Sequence, residues 1–205
     1  MATTDNSRKY AIYGGSFDPF HNGHLALAES AVRECGLDKL IFMPAYVSPF
    51  KQDRKVTAGA DRCGMIETIL RYNKAFCLSR YELNREGPSY TVETLRHWRQ
   101  LLGGELSFVL GFDSVVQLES WYVGEEILRD YHLITCKRPD TDDEEGMKMI
   151  SYFREKYGSR ITILDKDPVD ASSTEIRQMV SEGRSIAGLV PPEVEEYIIE
   201  HQLYR

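Results

Sequence analysis

The stretch that most constrains the fold of this chain is residues 10–29, where an apolar run meets two glycines and then a helical pattern. The run suits a buried strand, and Gly14 and Gly15 end it. Leu25 and the residues after it begin the helical segment. Because backbone N–H groups at such a strand-to-helix turn can approach an anion closely, the stretch predicts a phosphate site.

Two histidines, His21 and His24, lie three residues apart in this turn. If a helix opens at Asn22, both imidazoles can face the same side of it. A plain tight connection and a zinc pair are the alternatives, although none of the four cysteines lies nearby with metal-ligand spacing. The dinucleotide fingerprint G-x-G-x-x-G is missing, which disfavours a dehydrogenase.

Strand-like and helix-like segments alternate along the chain. Strands are predicted at the start of the opening stretch and over residues 39–44, 75–79, 107–111, 131–136 and 161–164. Helices are predicted over 24–35, 60–72, 90–102, 113–130 (interrupted near Gly124), 147–157 and from 165 onward, with an acidic loop at 141–145. This alternation predicts an α/β fold with a doubly wound, mainly parallel, Rossmann-like sheet and helices on both faces. Ligands of such sheets bind at the carboxyl ends of the strands.

Composition limits the other function classes. The chain has 205 residues, enough for one domain spanning 1–205, with residues 1–9 expected to form a flexible polar tail rather than a secretory signal. No apolar run approaches membrane-spanning length. The net charge of −7 argues against nucleic acid or an anionic membrane as a partner. Four scattered cysteines are typical of reduced thiols in a cytoplasmic protein.

A second polar motif lies near the end of the chain, at residues 171–177. Ser172 and Glu175 fit a capping box, which predicts that a helix begins here. A well-capped helix is the simplest interpretation. The functional alternative is a phosphate site, since the N–H groups of a helix start lie beside two hydroxyls, with Arg177 one turn further on.

These motifs together resemble a known family. The string Gly15-x-Phe17-x-Pro19-x-His21-x-Gly23-His24 is similar to the GxFxPxHxGH signature of the nucleotidyltransferase superfamily, and residues 171–177 are similar to its ISSTxIR motif, with Ala171 in place of isoleucine. Matches to bacterial nicotinate mononucleotide adenylyltransferases follow at GPSYT (87–91), GxD (111–113), WY (121–122) and KRP (137–139). Residues 47–51 resemble the family's PPHK loop, with Phe50 in place of histidine.

The resemblance implies a reaction and a set of site residues. ATP and nicotinate mononucleotide would give nicotinate adenine dinucleotide and pyrophosphate, with Mg²⁺ carried by the ATP phosphates and no covalent enzyme intermediate. The implied catalytic residues are His21, His24 and Arg177. The implied ATP-binding residues are these three with Gly14, Gly15, Ser16, Phe17, Asp113, Ser172 and Ser173. The implied mononucleotide-binding residues are Lys51, Ser89, Tyr90, Thr91, Trp121, Tyr122 and Arg138.

The resemblance further implies that selection of the acid comes from backbone N–H groups at Thr91 and Tyr122, with Trp121 stacked on the pyridine ring. Two other functions stay open at this point. One is a related adenylyltransferase that accepts nicotinamide mononucleotide or phosphopantetheine, and the other is a non-catalytic nucleotide-binding module. Taken singly, Lys51 could belong to a solvated basic loop, Trp121 to the core and Asp113 to a helix cap. A homo-oligomer is left open as well.

Overall fold

The computed structural model describes residues 7–46, 56–85, 88–137, 144–165 and 171–205. Six strands form one sheet: β1 (Lys9–Gly15), β2 (Lys39–Pro44), β3 (Phe76–Leu78), β4 (Glu105–Val109), β5 (His132–Cys136) and β6 (Arg160–Leu164). Their order is β3-β2-β1-β4-β5-β6, and every neighbouring pair is parallel. The predicted fold class is therefore confirmed.

Eight α-helices connect and cover these strands within the described part of the chain. They are α1 (Asn22–Cys35), α2 (Gly59–Ile69), α3 (Thr91–Leu102), α4 (Phe112–Val116), α5 (Gly124–Asp130), α6 (Glu144–Tyr157), α7 (Ser173–Ser181) and α8 (Pro192–Glu200). Short 3₁₀ turns follow α2 at Leu70–Tyr72 and α4 at Leu118–Ser120. None of the helices described is long and apolar enough to cross a membrane.

The strands contribute alternate residues to two hydrophobic cores, one on each face of the sheet. On one face Tyr13 and Phe42 pack with residues of α1, α2, α7 and α8. On the other face Ile12 and Phe108 pack with residues of α3, α5 and α6. Because both faces are buried, the central strands read as continuous apolar runs, which is the pattern that made them recognisable in the sequence.

The sheet reverses its winding direction between β1 and β4. From β1 the chain proceeds outward through β2 to β3, and then crosses back to place β4 on the other side of β1. Parallel sheets open a crevice at the carboxyl ends of the strands at such a switch point. The residues that follow β1 and β4 are therefore the ones that the fold places around a ligand.

Two details of the predicted helices were wrong. Glu144 and Glu145 are not in an acidic loop but in the first turn of α6, where the helix dipole favours carboxylates. The region after β6 is not continuously helical, because residues 182–191 separate α7 from α8. Gly183 and Gly188 there have φ angles of 69° and 81°, which a helix cannot contain. The interruption predicted near Gly124 in the helix over 113–130 is confirmed, since α4 and a 3₁₀ turn precede a separate α5 that begins at Gly124.

Candidate active site

The first helix begins at the histidine pair, and the two side chains cap it reciprocally. His21 is the N-cap residue, and its Nδ1 accepts a hydrogen bond from the His24 N–H at 3.3 Å. The Nδ1 of His24 accepts one from the His21 N–H at 3.2 Å. The imidazoles stack with their centroids 3.6 Å apart, on one side as the spacing predicts. Since an accepting Nδ1 carries no proton, each ring bears its proton on Nε2 and presents a donor there.

The turn before these histidines is fixed by an aromatic core. Phe17 is 1% exposed, and its ring lies 5.3 Å from that of Tyr13 and 5.0 Å from that of His24. Its φ of 49° is unusual for a residue with a side chain and directs the ring inward. A Cβ on Gly15 would lie 3.0 Å from this ring, so a larger residue there would push the Phe17 ring out of its place. Phe17 can therefore contact a nucleotide only through its backbone.

A buried arginine of α2 holds the same turn in place through hydrogen bonds. Arg62 is 2% exposed, and it donates from Nη1 to the Ser16 carbonyl at 2.8 Å and from Nε to the Thr57 carbonyl at 2.9 Å. Burial lowers the pKa of its guanidinium, and the nearby Asp18 carboxylate opposes that change. We did not predict Arg62 from the sequence, although it shares a helical face with the buried Ile66 and Ile69.

Asp18 joins the turn to the end of the described chain. Its carboxylate is buried and accepts hydrogen bonds from the Tyr204 hydroxyl at 2.8 Å and from the Thr57 N–H at 3.4 Å. Burial raises the pKa of the Tyr204 hydroxyl far above its ordinary value. Tyr204 therefore stays a neutral donor that holds Asp18 in place.

The start of α7 packs against the same turn, which brings the second sequence motif to the histidines. Ser173 donates from Oγ to the Pro19 carbonyl at 3.0 Å, and Arg177 donates to the Asp18 carbonyl and, at 3.1 Å, to Thr174 Oγ1. The predicted capping box is wrong: Ser172 is the N-cap residue, but its side chain makes no capping hydrogen bond. These contacts with the turn anchor the helix start in place of a local cap.

A cavity of about 300 Å³ lies at the carboxyl ends of β1 and β4. It brings together the glycine turn after β1, the segment before α3 and the aromatic pair after α4. Among its lining residues are Gly14, Gly15, Ser16, Glu82, Ser89, Tyr90, Thr91, Thr94, Phe108, Gln117, Trp121 and Tyr122. Five of the predicted mononucleotide residues thus line one cavity together with Gly14, Gly15 and Ser16 of the predicted ATP turn.

The backbone at residues 121–124, on the aromatic side of this cavity, has little conformational freedom. The Trp121 ring lies 6.5 Å from that of Phe108, and the exposed Tyr122 ring lies 4.5 Å from that of Tyr90. Val123 adopts a left-handed φ of 53° directly after this pair. At Gly124 a Cβ would come within 1.8 Å of the Leu118 carbonyl oxygen, so only glycine allows the chain to turn into α5 here. The loop therefore holds both rings at the cavity mouth.

The amino end of α3 faces the same cavity. Thr91 is its first residue, and the N-cap residue Tyr90 makes no side-chain capping bond. The first N–H groups of a helix have no partner within the helix, so the Thr91 N–H can serve a ligand. Glu82 and Thr94, which sequence reasoning missed, lie beneath it with a hydrogen bond of 2.6 Å between their side chains. Nothing in the local sequence marks that pair.

Three predicted residues are not placed in this arrangement. Asp113 is exposed in the first turn of α4 and does not line the cavity. Lys51 and Arg138 lie outside the described residues, as does Gly87 of the GPSYT motif. Within the described ranges, no group of three or more histidine, cysteine, aspartate or glutamate side chains could hold a metal ion.

The geometry therefore offers two neighbouring binding regions. One combines two neutral imidazole donors with the start of α7 and Arg177, which suits phosphate oxygens. The other combines aromatic rings with backbone donors, which suits a planar ring with an anionic substituent. Gly14, Gly15 and Ser16 line the second region and lead along the chain to the histidines of the first. Such a site can hold two phosphorylated molecules in contact.

Comparison with known proteins agrees with this geometry. The cytidylyltransferase-like family matches residues 12–179. A protein of Synechococcus sp. (strain JA-3-3Ab) is 38% identical over 198 residues, covering 96% of this chain and 95% of its own. One of Clostridium botulinum (strain Alaska E43 / Type E3) is 34% identical and covers 97% and 98%. Both are named "Probable nicotinate-nucleotide adenylyltransferase".

The fold also has solved counterparts. Plasmodium falciparum nicotinic acid mononucleotide adenylyltransferase, in its complex with NaAD, matches with a TM-score of 0.77 and 21% identity over 96% of this chain and 97% of that one. Its complex with APC gives a TM-score of 0.76. At this identity the likeness concerns the fold. From the full-length relatives it follows that this chain belongs to the cytidylyltransferase-like family and, within it, to the nicotinate-nucleotide adenylyltransferases.

Proposed function

We propose that this enzyme transfers the adenylyl group of ATP to nicotinate mononucleotide, giving nicotinate adenine dinucleotide and pyrophosphate. The observation that carries the proposal is the pairing of a phosphate-binding turn with an aromatic, donor-lined cavity at one switch point of the sheet. The names of the full-length relatives support it. The four cysteines are free thiols, which supports a cytoplasmic location for this step of NAD biosynthesis.

The reaction needs positioning more than a base. An oxygen of the mononucleotide 5′-phosphate attacks the α-phosphorus of ATP, and the bond between that phosphorus and the bridging oxygen to the β-phosphate breaks. The nucleophile is already an anion, so no proton has to be removed. The Nε2–H groups of His21 and His24 donate to phosphate oxygens whose charge grows in the transition state, with His24 assigned to the α-phosphate.

The remaining phosphate contacts come from the second motif. Ser172, Arg177 and the backbone N–H of Ser173 at the start of α7 would hold the β- and γ-phosphates as pyrophosphate leaves, because the Ser173 hydroxyl donates to the Pro19 carbonyl. The Arg177 guanidinium has five N–H donors, so its contacts with Asp18 and Thr174 leave capacity for phosphate oxygens. The backbone of residues 14–17 would position ATP. The exposed Asp113 would help to position the nucleotide from outside the cavity. Lys51 and Arg138 are assigned to phosphate charge from their sequence motifs alone.

Magnesium would enter with the ATP. The side chains gathered at the turn are imidazoles, hydroxyls and a guanidinium, which suit phosphate oxygens better than a hard cation. The Asp18 carboxylate is occupied by Tyr204 and Thr57. The ion would therefore be coordinated by phosphate oxygens and water and would supply neutralisation of the triphosphate charge.

The cavity is proposed to select the acid over the amide. Trp121 would stack on the pyridine ring, and the N–H groups of Thr91 and Tyr122 would donate to the two carboxylate oxygens, while Ser89 and Tyr90 complete the wall. A carboxamide presents an NH₂ group to one of these fixed donors and leaves it unmet. We expect kcat/KM for nicotinate mononucleotide to exceed that for nicotinamide mononucleotide by at least about a hundredfold.

Pyrophosphate release with ATP and a panel of acceptors tests the proposal. Nicotinate mononucleotide, nicotinamide mononucleotide and phosphopantetheine are compared under the same conditions. Trp121→Ala is the control for ring stacking, and it should impair both mononucleotides alike because stacking is blind to the substituent. Equal use of the two mononucleotides would contradict acid selection. Turnover with phosphopantetheine, or with no acceptor, would contradict the function itself.

A further inference from the structure

The residues after α8 follow an unusual path that returns to the turn before α1. Gln202 and Tyr204 have left-handed φ angles of 52° and 64°, although neither is glycine. Such angles persist only where the surrounding structure holds them. The N–H of Leu203, between them, donates to the Ile198 carbonyl at 3.0 Å, which ties the path to α8. As a result, the Tyr204 hydroxyl reaches the Asp18 carboxylate, 186 positions earlier in the chain.

Asp18 is bound through its side chain and its main chain at once. It is 4% exposed, and its two carboxylate oxygens accept from the Tyr204 hydroxyl at 2.8 Å and from the Thr57 N–H at 3.4 Å. Its backbone carbonyl accepts from the Arg177 guanidinium. Because 3.4 Å is long for a hydrogen bond from an N–H donor, Tyr204 makes the stronger of the two bonds to the carboxylate.

The buried carboxylate depends on that stronger bond. Arg62 lies nearby and its positive charge acts on Asp18, but its hydrogen bonds within the described part of the chain go to the Ser16 and Thr57 carbonyls. A carboxylate that is buried this deeply needs hydrogen-bond donors, because it has given up its contacts with water. Without the Tyr204 hydroxyl we expect Asp18 to shift towards Arg62 or towards solvent to regain a donor. Its backbone carbonyl would move with it.

The Asp18 carbonyl in turn orients Arg177. Arg177 also donates to Thr174 Oγ1 at 3.1 Å, but Thr174 belongs to the same helix, so that bond moves with α7. The bond to Asp18 instead fixes the guanidinium against the turn that carries the histidines. Because a guanidinium is planar and rigid, one fixed N–H sets the direction of its other donors. The direction of the Arg177 donors therefore depends on where Asp18 is held.

We propose that Tyr204 is a positioning residue for the ATP site, which holds Asp18 so that the Asp18 carbonyl orients Arg177 towards the β- and γ-phosphates. The inference rests on the proposed function, since it concerns the ATP that is used in that reaction. Tyr204 acts through two other residues and not by contact with ATP. Removal of its hydroxyl should therefore weaken phosphate binding without altering the acceptor cavity.

Tyr204→Phe removes the hydroxyl and keeps the ring. We expect the dissociation constants of ATP and of pyrophosphate, titrated with Mg²⁺ and without an acceptor, to rise about fivefold, which is less than on complete loss of Arg177. KM for nicotinate mononucleotide should change less than about twofold. The matched control is Tyr197→Phe, because the Tyr197 hydroxyl also donates to an aspartate, Asp61 of α2, at 3.3 Å. It should leave both dissociation constants at the wild-type values.

A double variant separates positioning from a general structural role. If Tyr204 acts through Arg177, adding Tyr204→Phe to Arg177→Ala should change the two dissociation constants by less than about 1.5-fold beyond Arg177→Ala alone. Independent effects would instead multiply, and the double variant would bind about fivefold more weakly still. Thermal unfolding of every variant shows that each is folded at the temperature of the titrations.

Three outcomes would overturn the inference. They are unchanged dissociation constants in folded Tyr204→Phe, an equal rise in Tyr197→Phe, and a full multiplicative loss in the double variant. The titrations contain no acceptor, so they test Tyr204 independently of the choice of acceptor. A wild type that binds ATP but does not use nicotinate mononucleotide overturns the proposed function alone. A wild type that does not bind ATP overturns both.

Discussion

The reciprocal capping of α1 by His21 and His24 allows the structural role and the proposed catalytic role of His24 to be separated by two substitutions. His24→Asn places an oxygen near the position of Nδ1, so it can still accept from the His21 N–H, but it has no group at the position of Nε2. His24→Gln places an N–H donor near Nε2 and loses the acceptor at Nδ1. Both variants lose the imidazole's ring contacts, so comparing one with the other cancels that loss.

The expected magnitudes follow from the hydrogen bonds. At 3.2 and 3.3 Å the two caps are longer than the usual 2.9–3.0 Å of such bonds, which places each near the lower end of the range for a helix cap. His24→Gln should therefore be less stable than His24→Asn by about 0.5–1 kcal/mol, or roughly 1–4 °C in Tm. His24→Asn should lose about 10²–10³-fold in kcat, as for removal of one preorganised donor to the transition state.

The assays are steady-state turnover with ATP and nicotinate mononucleotide, and thermal unfolding of the same preparations. We expect the order of turnover to be wild type, His24→Gln, then His24→Asn, and the order of stability to place His24→Gln last. Near-normal turnover in folded His24→Asn would remove the Nε2–H from the mechanism. Equal stability of the two variants would show that the cap contributes nothing measurable.

Two further predictions concern the second motif and the aromatic loop. Arg177→Ala should raise KM for ATP and weaken pyrophosphate binding in the reverse direction by about tenfold or more, while KM for nicotinate mononucleotide changes less than about twofold; unaltered pyrophosphate affinity would contradict the assignment. Gly124→Ala should lower the free energy of unfolding by about 2–4 kcal/mol in a denaturant titration, because its Cβ would lie 1.8 Å from the Leu118 carbonyl oxygen. Gly111→Ala is the control, since nothing lies within 4 Å of a Cβ there, and it should change stability by less than about 0.5 kcal/mol; equal losses in the two variants would contradict the steric reason.

The sheet could be predicted from the sequence because its strands are buried on both faces. Lys39–Pro44 and the apolar residues of β4 and β5 read as continuous runs between helical patterns, and the bounds of β2 were predicted to the residue. The turn that joins β1 to α1 was also predicted, because glycines, a proline and two histidines lie there at fixed spacing. Both features depend on the spacing of residues that are close in the sequence, so they can be predicted from the sequence alone.

The features that we predicted wrongly or missed depend on contacts between segments that are distant in the sequence. Ser172 and Glu175 have capping-box spacing, but Ser173 and Arg177 bond instead to the Asp18–Pro19 turn more than 150 positions earlier. Arg62 shares a helical face with buried residues, but nothing in the sequence shows that its partner is the Ser16 carbonyl, and Glu82 has no pattern that separates it from a surface charge. Their partners are set by tertiary packing, which local periodicity does not report.

The strand order also divides the site between stretches of chain that do not overlap. The groups proposed to bind phosphate come from residues 14–24 and 172–177, whereas the proposed acceptor cavity takes its distinctive residues from 82–94 and 117–122. Substitutions in the second pair of stretches can alter the acceptor without replacing any group assigned to ATP. In a scaffold of this kind the residues around ATP and those around the acceptor can change independently. A family can therefore keep ATP as the donor while its members come to use different acceptors.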